Sequence, residues 1–315
     1  MTTSSATSIV LIVPSYNEEE NIPPFVQEAV RQLESYDWQV IFVNDGSTDR
    51  TWEVIREQAE ADPRVHGLCF ARNYGHQNAL KAGLEEANEH YEADVYVTLD
   101  ADLQHPLSLI PRMVELWKEG AFVVQTQRQD EHRNISFFKK FTSRTFYAVF
   151  SWLSGVPMQP GMSDFRLMNR QTLHFIVECR EKDFFLRGLL PWSGLKTAIL
   201  PYKPQERLHG CSKFTFRKML RLAMSGIVGY STRPLYLSLV VGSVAILLSA
   251  VYFVYVIAVS LTGQGVSLGW PSLMATILAL GGTQLFLLGI VGIYLGRIFM
   301  EQKGRPSYIL MDKTR

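Results

Sequence analysis

Two carboxylates one residue apart, Asp100 and Asp102, follow an apolar run at residues 95–99. If that run is a buried strand, a bend at its end would let both carboxylates face one divalent cation. Oxygen ligands suit Mg²⁺ or Mn²⁺, which commonly keep waters and bind through one or two carboxylates plus substrate phosphates. Gln104 and His105 are within reach of the same cation. The alternative is structural, because Asp102 or His105 could cap a helix that begins after Pro106.

A second polar cluster, NDGSTD at residues 44–49, also follows an apolar run. Asp45 could accept hydrogen bonds from the ring N–H of a base or from a ribose hydroxyl. The alternative is a turn at Gly46 with a helix cap at Ser47 or Asp49, and both roles can hold at once. The segment RNYGH at 72–76 could contact a ligand or cap the next helix. No Gly-x-Gly-x-x-Gly follows the first predicted strand and no P-loop motif occurs, so the usual dinucleotide and P-loop phosphate cradles are excluded.

The elements that must position these clusters are short strands alternating with helices. Apolar runs rich in β-branched residues predict strands, and segments of helical period lie between them. The predicted strands are 9–13, 40–43, 65–70, 95–99 and 121–124, and the predicted helices are 18–33, 49–60, 77–90 and 107–119. This pattern predicts an α/β fold with a doubly wound, mostly parallel sheet covered on both faces. Ligands of such sheets bind outside the carboxyl ends of the strands, where the polar clusters lie.

The C-terminal part of the chain has a different composition. Of the 315 residues 19% are charged, yet the stretch 234–296 contains no Asp, Glu, Lys, Arg or His. Its two apolar runs, about 235–261 and 272–296, are each long enough to cross a bilayer as a helix. Basic residues flank the pair on both outer sides, from Arg217 to Arg233 and from Arg297 to Arg305, which predicts that both flanks are cytoplasmic. The alternative is a buried helical hairpin in a soluble protein.

Composition also excludes several classes of protein. The charge-free stretch excludes a purely soluble enzyme, a disordered chain and a collagen-like fibre. The net charge of +1 gives no support to nucleic-acid binding. The 3 cysteines form no Cys-x-x-Cys pair, so neither a disulfide framework nor a zinc site is indicated. No signal peptide is recognisable, and we expect the globular part to stay in the cytoplasm.

Four parts of the chain follow from these patterns. We expect a cytoplasmic domain at 1–212, a juxtamembrane amphipathic helix at 213–232, two transmembrane helices within 233–299 and a cytoplasmic tail at 300–315. A second amphipathic segment lies at about 137–153. Both amphipathic segments combine basic and aromatic residues, a composition typical of helices in the headgroup plane of a membrane. The alternative for each is an ordinary helix that packs on a protein core.

Five ordered motifs resemble those of a known family. They are VPSYNEEEN at 13–21, VNDGSTD at 43–49, LDADLQHP at 99–106, SDFR at 163–166 and RLHGCSK at 207–213, followed by the two apolar spans. The set resembles family 2 glycosyltransferases of the GT-A fold. More narrowly, it is similar to polyprenyl-phosphate glycosyltransferases, the dolichol-phosphate mannose synthases and bacterial bactoprenol glucosyltransferases. The two-span tail favours the bactoprenol type, which is associated with glucosylation of O-antigen, a cell-envelope polysaccharide.

The resemblance implies roles for individual residues of this chain. The residues implied at the nucleotide sugar are Pro14, Tyr16, Glu18, Asp45, Asp100, Ala101, Asp102, Gln104 and Arg166. The implied ligands of Mg²⁺ or Mn²⁺ are Asp100, Asp102 and Gln104. The implied acceptor-phosphate residues are Arg128, Lys139, Ser143 and Arg144. The implied catalytic residues are Asp102, Asp164, Arg207 and Lys213, where Asp164 would orient the sugar or act as a base.

The implied enzyme is a hexosyltransferase that moves glucose from UDP-glucose to undecaprenyl (bactoprenyl) phosphate. The second pKa of a phosphate is about 6, so the acceptor is largely a dianion and needs little or no general base. We therefore expect a metal-assisted single displacement with inversion at the cytoplasmic leaflet of the inner (plasma) membrane, by a multi-pass protein with both termini in the cytoplasm. The alternatives are GDP-mannose or UDP-4-amino-arabinose as donor, or a non-catalytic membrane protein that binds nucleotide sugars. Glycines in the second span leave a homo-oligomer open.

Overall fold

The computed structural model describes residues 6–129, 152–153, 161–179, 181–182, 184–203, 229, 231–261 and 269–314. These residues divide into two compact units. A globular unit holds the described residues before 130, those between 161 and 203, and those from Pro306 onward. A helical unit holds residues 152–153 and 229 and those from 231 to Arg305. Apart from 152–153, 229 and 231–232, the two predicted amphipathic segments lie outside the described residues.

The globular unit is built on one mixed sheet. Its strands in the described residues are β1 (Ser8–Ser15), β2 (Asp37–Asn44), β3 (Val65–Phe70), β4 (Val95–Thr98), β5 (Val123–Arg128), β6 (Met162–Asn169), β7 (Thr197–Tyr202) and β8 (Leu310–Lys313). Their order across the sheet is β7-β5-β6-β4-β1-β2-β3-β8. The pairs β4-β1, β1-β2, β2-β3 and β5-β7 are parallel, whereas β6 and β8 run antiparallel to their neighbours. The predicted mostly parallel sheet is therefore confirmed.

Apolar side chains on both faces of the sheet explain its continuous apolar strands. Along β1, Ile9, Leu11 and Val13 pack in one core cluster, while Val10 and Ile12 pack in a second. Successive side chains of a strand point to opposite faces, so the two clusters lie on opposite sides of the sheet. A sheet that is buried on both faces cannot alternate apolar with polar residues, which is why the sequence shows unbroken runs.

Helices cover both faces of the sheet. They are α1 (Ile22–Gln32), α2 (Thr51–Ala61), α3 (His76–His90), α4 (Ile110–Lys118), α5 (Arg170–Glu178) and α6 (Leu186–Ser193), and a 3₁₀ turn at Leu107–Leu109 precedes α4. The first four correspond to the four predicted helices. The helix α3 packs closely on β1 at Gly83, where a Cβ atom would stand 2.4 Å from Cγ2 of Ile12. The N-cap of helix α5 is Asn169, whose side chain accepts a hydrogen bond from the backbone N–H of Thr172.

The helical unit contains α7 (Arg233–Leu261) and α8 (Trp270–Gln302). By length and composition both helices could cross a membrane, and their candidate spans are Arg233–Tyr255 and Ala279–Gln302. Large apolar side chains on them are exposed, for example Ile246 at 73% and Leu285 at 72%. Among the residues whose side chains the structure describes, none in the most apolar part of either span is buried. The core helix of a soluble protein would bury such side chains, so a buried hairpin is not supported.

The chain returns to the globular unit after α8. The strand β8 pairs with β3, with Leu68 opposite Lys313 and Cys69 opposite Asp312. Residues 300–315 were expected to be a tail, and the structure places part of that tail in the sheet. The added strand covers an edge of β3 that would otherwise leave backbone N–H and C=O groups unpaired.

Candidate active site

The carboxyl ends of β1, β2 and β4 meet at one edge of the sheet, because these strands are parallel neighbours. The loops that follow them carry the first three motifs. Asp164 and Arg166 join this edge from β6, since β6 pairs with β4 and places Arg166 opposite Thr98. Most of the described candidate residues therefore lie at or near the end of four adjacent strands, as a doubly wound sheet requires of a ligand site.

Reciprocal hydrogen bonds join the loops after β1 and β2. Asn17 has a positive φ of 55°, and its side-chain oxygen accepts from the backbone N–H of Thr48 at 2.9 Å. In return, the hydroxyls of Ser47 and Thr51 accept from the backbone N–H groups of Asn17 and Glu18 at 3.0 and 2.9 Å. These bonds fix the path of the backbone beside Tyr16, and the serine and threonine of the second motif supply them.

The predicted nucleotide residues of the first motif differ in exposure. Pro14 is buried in the sheet, and Tyr16 and Glu18 are half-buried. The Glu18 carboxylate accepts a hydrogen bond from the side-chain amide of Asn21, next to the start of α1. Tyr16 and Glu18 therefore lie at the surface of the sheet edge, whereas Pro14 shapes the backbone below them.

Asp45 ties the loop after β2 to the loop after β3. Its residue is only 3% exposed, and its carboxylate accepts hydrogen bonds from the backbone N–H of Tyr74 at 2.6 Å and of Gly75 at 2.9 Å. Burial raises the pKa of Asp45, while the two backbone bonds oppose that rise. A carboxylate has about four lone-pair positions. Asp45 can thus hold the 72–75 loop and still accept a bond from a ligand.

The Asp100 carboxylate is oriented by a buried histidine. Asp100 Oδ2 lies 3.2 Å from Nε2 of His105, and Nδ1 of His105 lies 2.8 Å from the hydroxyl of Tyr202. Burial alone would raise the pKa of Asp100, but the His105 bond and the neighbouring His76 outweigh it and lower the pKa. Both ring nitrogens of His105 are therefore engaged. This histidine positions Asp100 and is not itself free to bind the cation, contrary to what its place in the sequence suggested.

Asp102 stands in a tight and strained turn. Its Oδ1 accepts from the backbone N–H of Gln104 at 3.2 Å, and Leu103 between them has a φ of 57° while being only 9% exposed. A bulky residue in the left-handed region costs about 1–2 kcal/mol, and such strain concentrates at functional sites. No side chain caps the following 3₁₀ turn, so the helix-cap alternative for Asp102 and His105 is not supported. Ala101, between the two carboxylates, is buried.

The donor set at this edge fits a hard divalent cation. Asp100 and Asp102 supply carboxylate oxygens and Gln104 an amide, and the side chain of Asp100 is 39% exposed. Among the described residues, no group of three or more His, Cys, Asp or Glu side chains is arranged to hold a metal ion by itself. Mg²⁺ is commonly bound by one or two carboxylates and completed by phosphate oxygens and water, so these residues suit a cation that arrives with a diphosphate.

Asp164 is the centre of a buried charged cluster. Its Oδ1 and Oδ2 accept from Nε and Nη2 of Arg187 at 2.9 and 2.8 Å, and its Oδ2 also lies 3.2 Å from Nε2 of His76. Burial alone would raise the pKa of Asp164, but Arg187, His76 and Arg166 outweigh it and hold the pKa well below its usual range. The same His76 nitrogen lies 3.8 Å from Oδ1 of Asp100, which links this cluster to the predicted metal ligands.

Arg166 is a buried cation with an unused donor. The residue is 1% exposed, its Nε donates to the backbone carbonyl of Ser163, and its Nη2 lies 3.4 Å from Asp164 Oδ1. Its Nη1 has no hydrogen-bond partner within the described part of the chain. Burial lowers the pKa of Arg166 to about 10, against the opposing effect of Asp164. Buried polar atoms are nearly always paired, so this nitrogen is a candidate donor to a ligand or a water molecule.

Of the remaining predicted residues only Arg128 lies in the described part of the chain, where it stands opposite Tyr202 in the pairing of β5 with β7. Arg128 is exposed at the end of β5, and its backbone N–H donates to the carbonyl of Gly161. The residues outside the described part of the chain are Lys139, Ser143, Arg144, Arg207 and Lys213. Their roles toward the acceptor and donor phosphates stay predictions.

The sequence model described as glycosyl transferase family 2 matches residues 10–180, a stretch that contains every motif of the sheet edge. The chain belongs to glycosyl transferase family 2. The transferase is 37% identical to a bactoprenol glucosyl transferase of Shigella phage SfV over 98% of this chain and 99% of that protein. It is 38% identical to a prophage bactoprenol glucosyl transferase homolog of Escherichia coli K12, over 96% of this chain and 98% of that protein.

The transferase is also similar to solved structures. One is a mannosyltransferase from Pyrobaculum calidifontis in complex with GDP-Man and Mn²⁺, with a TM-score of 0.48, 18% identity and coverage of 93% of this chain and 88% of that one. Another is a mannosyl-3-phosphoglycerate synthase from Rubrobacter xylanophilus, with a TM-score of 0.48, 16% identity and coverage of 73% and 74%. The expectations of a GT-A-type fold and of an enzyme of the hexosyltransferase class are confirmed by the family and its full-length relatives.

Two side chains of the transferase's site gave no signal in the sequence. Arg187 lies at the start of α6, a helix that was not predicted, and Tyr202 ends β7, a strand that was not predicted. Arg187 contacts Asp164, 23 positions before it, and Tyr202 contacts His105, 97 positions before it. The only general hint is that a buried carboxylate needs a partner, and that rule does not say which residue the partner is.

The geometry suits charge stabilisation better than proton removal. Both oxygens of Asp164 are held by one guanidinium, and its low pKa makes it a weak proton acceptor near neutral pH. Around it, the transferase presents carboxylates that suit a cation at the end of β4, the buried guanidinium of Arg166 on β6 and the half-buried guanidinium of Arg187 on α6. Such an arrangement can bind a diphosphate through a cation and hold an attached sugar in place.

Proposed function

We propose that the protein transfers a hexose, with glucose from UDP-glucose as the first candidate donor, to a polyprenyl phosphate such as undecaprenyl phosphate. The observation that carries this proposal is full-length similarity. The relatives named bactoprenol glucosyl transferase match 98% of this chain, so the match includes both spanning-length helices as well as the sheet edge. A lipid acceptor gives both parts of the chain a common purpose, because its phosphate must reach the enzyme while its tail stays in the membrane.

The sheet edge would hold the donor. Tyr16 and Glu18 lie where a base and ribose could rest, and Asp45 could accept a bond from the base or a ribose hydroxyl. Asp100 and Asp102, with Gln104, would bind Mg²⁺ or Mn²⁺ together with the diphosphate. When bound, the cation would supply positive charge that stabilises the departing nucleoside diphosphate.

The neighbouring cluster would hold the sugar. Asp164 would orient it through hydrogen bonds, because Arg187 keeps the carboxylate ionised and fixed. Arg166, whose guanidinium pairs with Asp164, would offer its Nη1, which is unpaired among the described residues, as a further donor. The acceptor phosphate is already a nucleophile at neutral pH, since its second pKa is about 6. A single displacement with inversion at the anomeric carbon therefore needs no general base from the chain.

The path of the chain supports a cytoplasmic arrangement. The chain leaves the globular unit before α7 and returns to it as β8 after α8. Both ends of the helical pair therefore connect to one globular unit, which requires an even number of membrane crossings. With the basic flanks Arg233 and Arg297, this supports a multi-pass protein of the inner (plasma) membrane whose globular unit and both termini are cytoplasmic.

A lipid-transfer assay tests the proposal. Purified protein in detergent with Mg²⁺ and a short polyprenyl phosphate is given labelled UDP-glucose or, separately, GDP-mannose. We expect label in the organic extract from UDP-glucose alone, and none after addition of a chelator. Label from GDP-mannose alone would contradict the donor. Nucleotide binding with no label from either donor, or from UDP-4-amino-arabinose, would favour a non-catalytic binding protein.

A further inference from the structure

The C-terminal segment Pro306–Thr314 makes a dense set of contacts with the globular unit. Two backbone bonds flank β8: the N–H of Ala71 donates to the carbonyl of Ile309, and the N–H of Thr314 donates to the carbonyl of Gly67, both at 3.0 Å. Between them, β8 pairs with β3. The segment is therefore a built part of the sheet, although it follows directly on the second spanning-length helix.

Side chains fix this segment to α2 and α3 as well. Trp52 Nε1 donates to Asp312, the ammonium of Lys313 pairs with the 9%-exposed Glu86, and the hydroxyl of Tyr308 donates to Glu85. These partners lie on helices that cover opposite faces of the sheet edge. These side-chain contacts with α2 and α3 come in addition to the backbone pairing of β8 with β3, which alone would shield the edge of the sheet.

One end of the segment lies against the loop that Asp45 holds. The ring of Tyr308 stacks on Phe70 at 4.9 Å with an interplanar angle of 15°, and Phe70 in turn packs edge-on against Tyr74 at 5.7 Å. The backbone N–H of Tyr74 donates to Asp45. The loop 71–75 is thus fixed by Asp45, which follows β2, and by Tyr308 and Ile309 from the C-terminal segment.

We propose that Pro306–Thr314 is a clasp that positions the 71–75 loop for nucleotide binding, with Tyr308 as its positioning residue. The inference rests on the proposed function, in which Asp45 lies at the nucleotide. Aromatic pairs contribute free energy beyond their buried area and have a defined geometry, so the Tyr308 ring sets where Phe70 and Tyr74 stand. Without the Tyr308 ring, the 71–75 loop keeps its bonds to Asp45 but loses the aromatic packing that holds Tyr74 in position.

Two variants of the full-length protein separate positioning from stability. Tyr308→Ala removes the stack beside the loop. Thr314→Val removes the hydroxyl that accepts from Gly67 N–H at 2.8 Å, at the opposite end of the clasp. Both weaken the same strand pairing, but only the first borders the loop. Tyr308→Phe keeps the stack and loses only the bond to Glu85.

Hydrogen exchange of residues 71–76 without nucleotide is the first measurement. We expect faster exchange of the Tyr74 and Gly75 amides in Tyr308→Ala than in Thr314→Val, and exchange close to wild type in Tyr308→Phe. In a UDP titration we expect Tyr308→Ala to bind about 3- to 10-fold more weakly, a factor typical for the loss of one aromatic pair. In transfer, its KM for the donor should rise while kcat stays close to wild type.

The possible results separate the clasp from the function on which it rests. Equal exchange at 71–76 in Tyr308→Ala and Thr314→Val overturns the clasp, as does unchanged UDP affinity in a Tyr308→Ala protein whose wild type binds UDP. A wild-type protein that binds no nucleotide, but whose 71–76 exchange responds to Tyr308→Ala alone, overturns the proposed function and leaves the positioning of the loop standing.

Discussion

A single methyl group added at Gly46 should displace the 72–75 loop from the end of β2, where we propose that the nucleotide binds. Its φ is +61°, and a Cβ built on it would lie 2.2 Å from the carbonyl carbon of Arg72 and 2.5 Å from the nitrogen of Asn73. Both contacts are with backbone, so no flexible side chain can yield. Gly46→Ala must therefore push the 72–75 loop away from β2.

The cost has two parts that a matched control separates. An alanine in the left-handed region costs about 1–2 kcal/mol. Displacing the loop also stretches the bonds from Tyr74 and Gly75 to the Asp45 carboxylate, and hydrogen bonds to charged groups contribute about 1.5–3 kcal/mol each. Gly194 has a similar φ of +67° at the end of α6 but nothing within 4 Å of its Cβ position. Gly194→Ala therefore carries the backbone cost alone.

Thermal unfolding of the full-length protein in detergent compares the two variants. If one bond is lost, Gly46→Ala should be less stable than Gly194→Ala by about 2 kcal/mol, which corresponds to at least about 4 °C in Tm for a unit of this size. It should also bind UDP more weakly, while Gly194→Ala binds it as the wild type does. Equal Tm values and equal UDP affinities in the two variants would refute the idea that the 72–75 loop can approach β2 only because Gly46 has no side chain.

Three further outcomes are expected. Asp102→Ala should abolish transfer while leaving membrane insertion intact, and activity retained in Mg²⁺ would refute its metal role. Arg187→Lys cannot form the two parallel bonds to Asp164, so kcat should fall about 10- to 100-fold with UDP affinity unchanged; a change in UDP affinity alone would place Arg187 at the nucleotide instead. Burial lowers the pKa of His66 in the folded chain. As the pH falls, the imidazole is therefore protonated in the unfolded chain before it is protonated in the folded chain, which favours unfolding. Stability should therefore fall as pH drops through about 6.5, and His66→Leu, but not the control His174→Gln at an exposed site, should reduce this acid sensitivity.

The sequence predicted the elements whose signal is local. The strands β1, β2 and β4 contain unbroken apolar runs because both faces of the sheet are buried. The helices α1 to α4 have helical period because one side of each meets that sheet. The carboxylates Asp45, Asp100 and Asp102 could be placed at one edge for the same reason, since parallel neighbouring strands end together. Their spacing along the chain was enough to predict a shared site.

What the sequence could not predict depends on contacts between distant segments. The strand β8 follows a short apolar run, residues 308–311, too short to predict a strand, and it forms because the edge of β3 offers unpaired backbone groups after more than two hundred intervening residues. Asp45 reads as a ligand-binding residue in sequence, but its bonds to Tyr74 and Gly75 depend on where the loop after β3 folds back. Tyr202 contacts His105 only because β7 joins the far side of the sheet.

Arg187 changes how Asp164 should be understood. In sequence this carboxylate could be a base or an orienting group, and nothing local distinguished the two. In the structure a guanidinium engages both of its oxygens and a histidine lies against one of them, so its pKa stays well below that of a group that accepts protons near pH 7. A phosphate acceptor carries its own negative charge and has no proton that a base must remove. An enzyme that used an alcohol as acceptor would need a general base, and Asp164 is not arranged to act as one. The ion-paired Asp164 carboxylate is therefore consistent with the proposed phosphate acceptor.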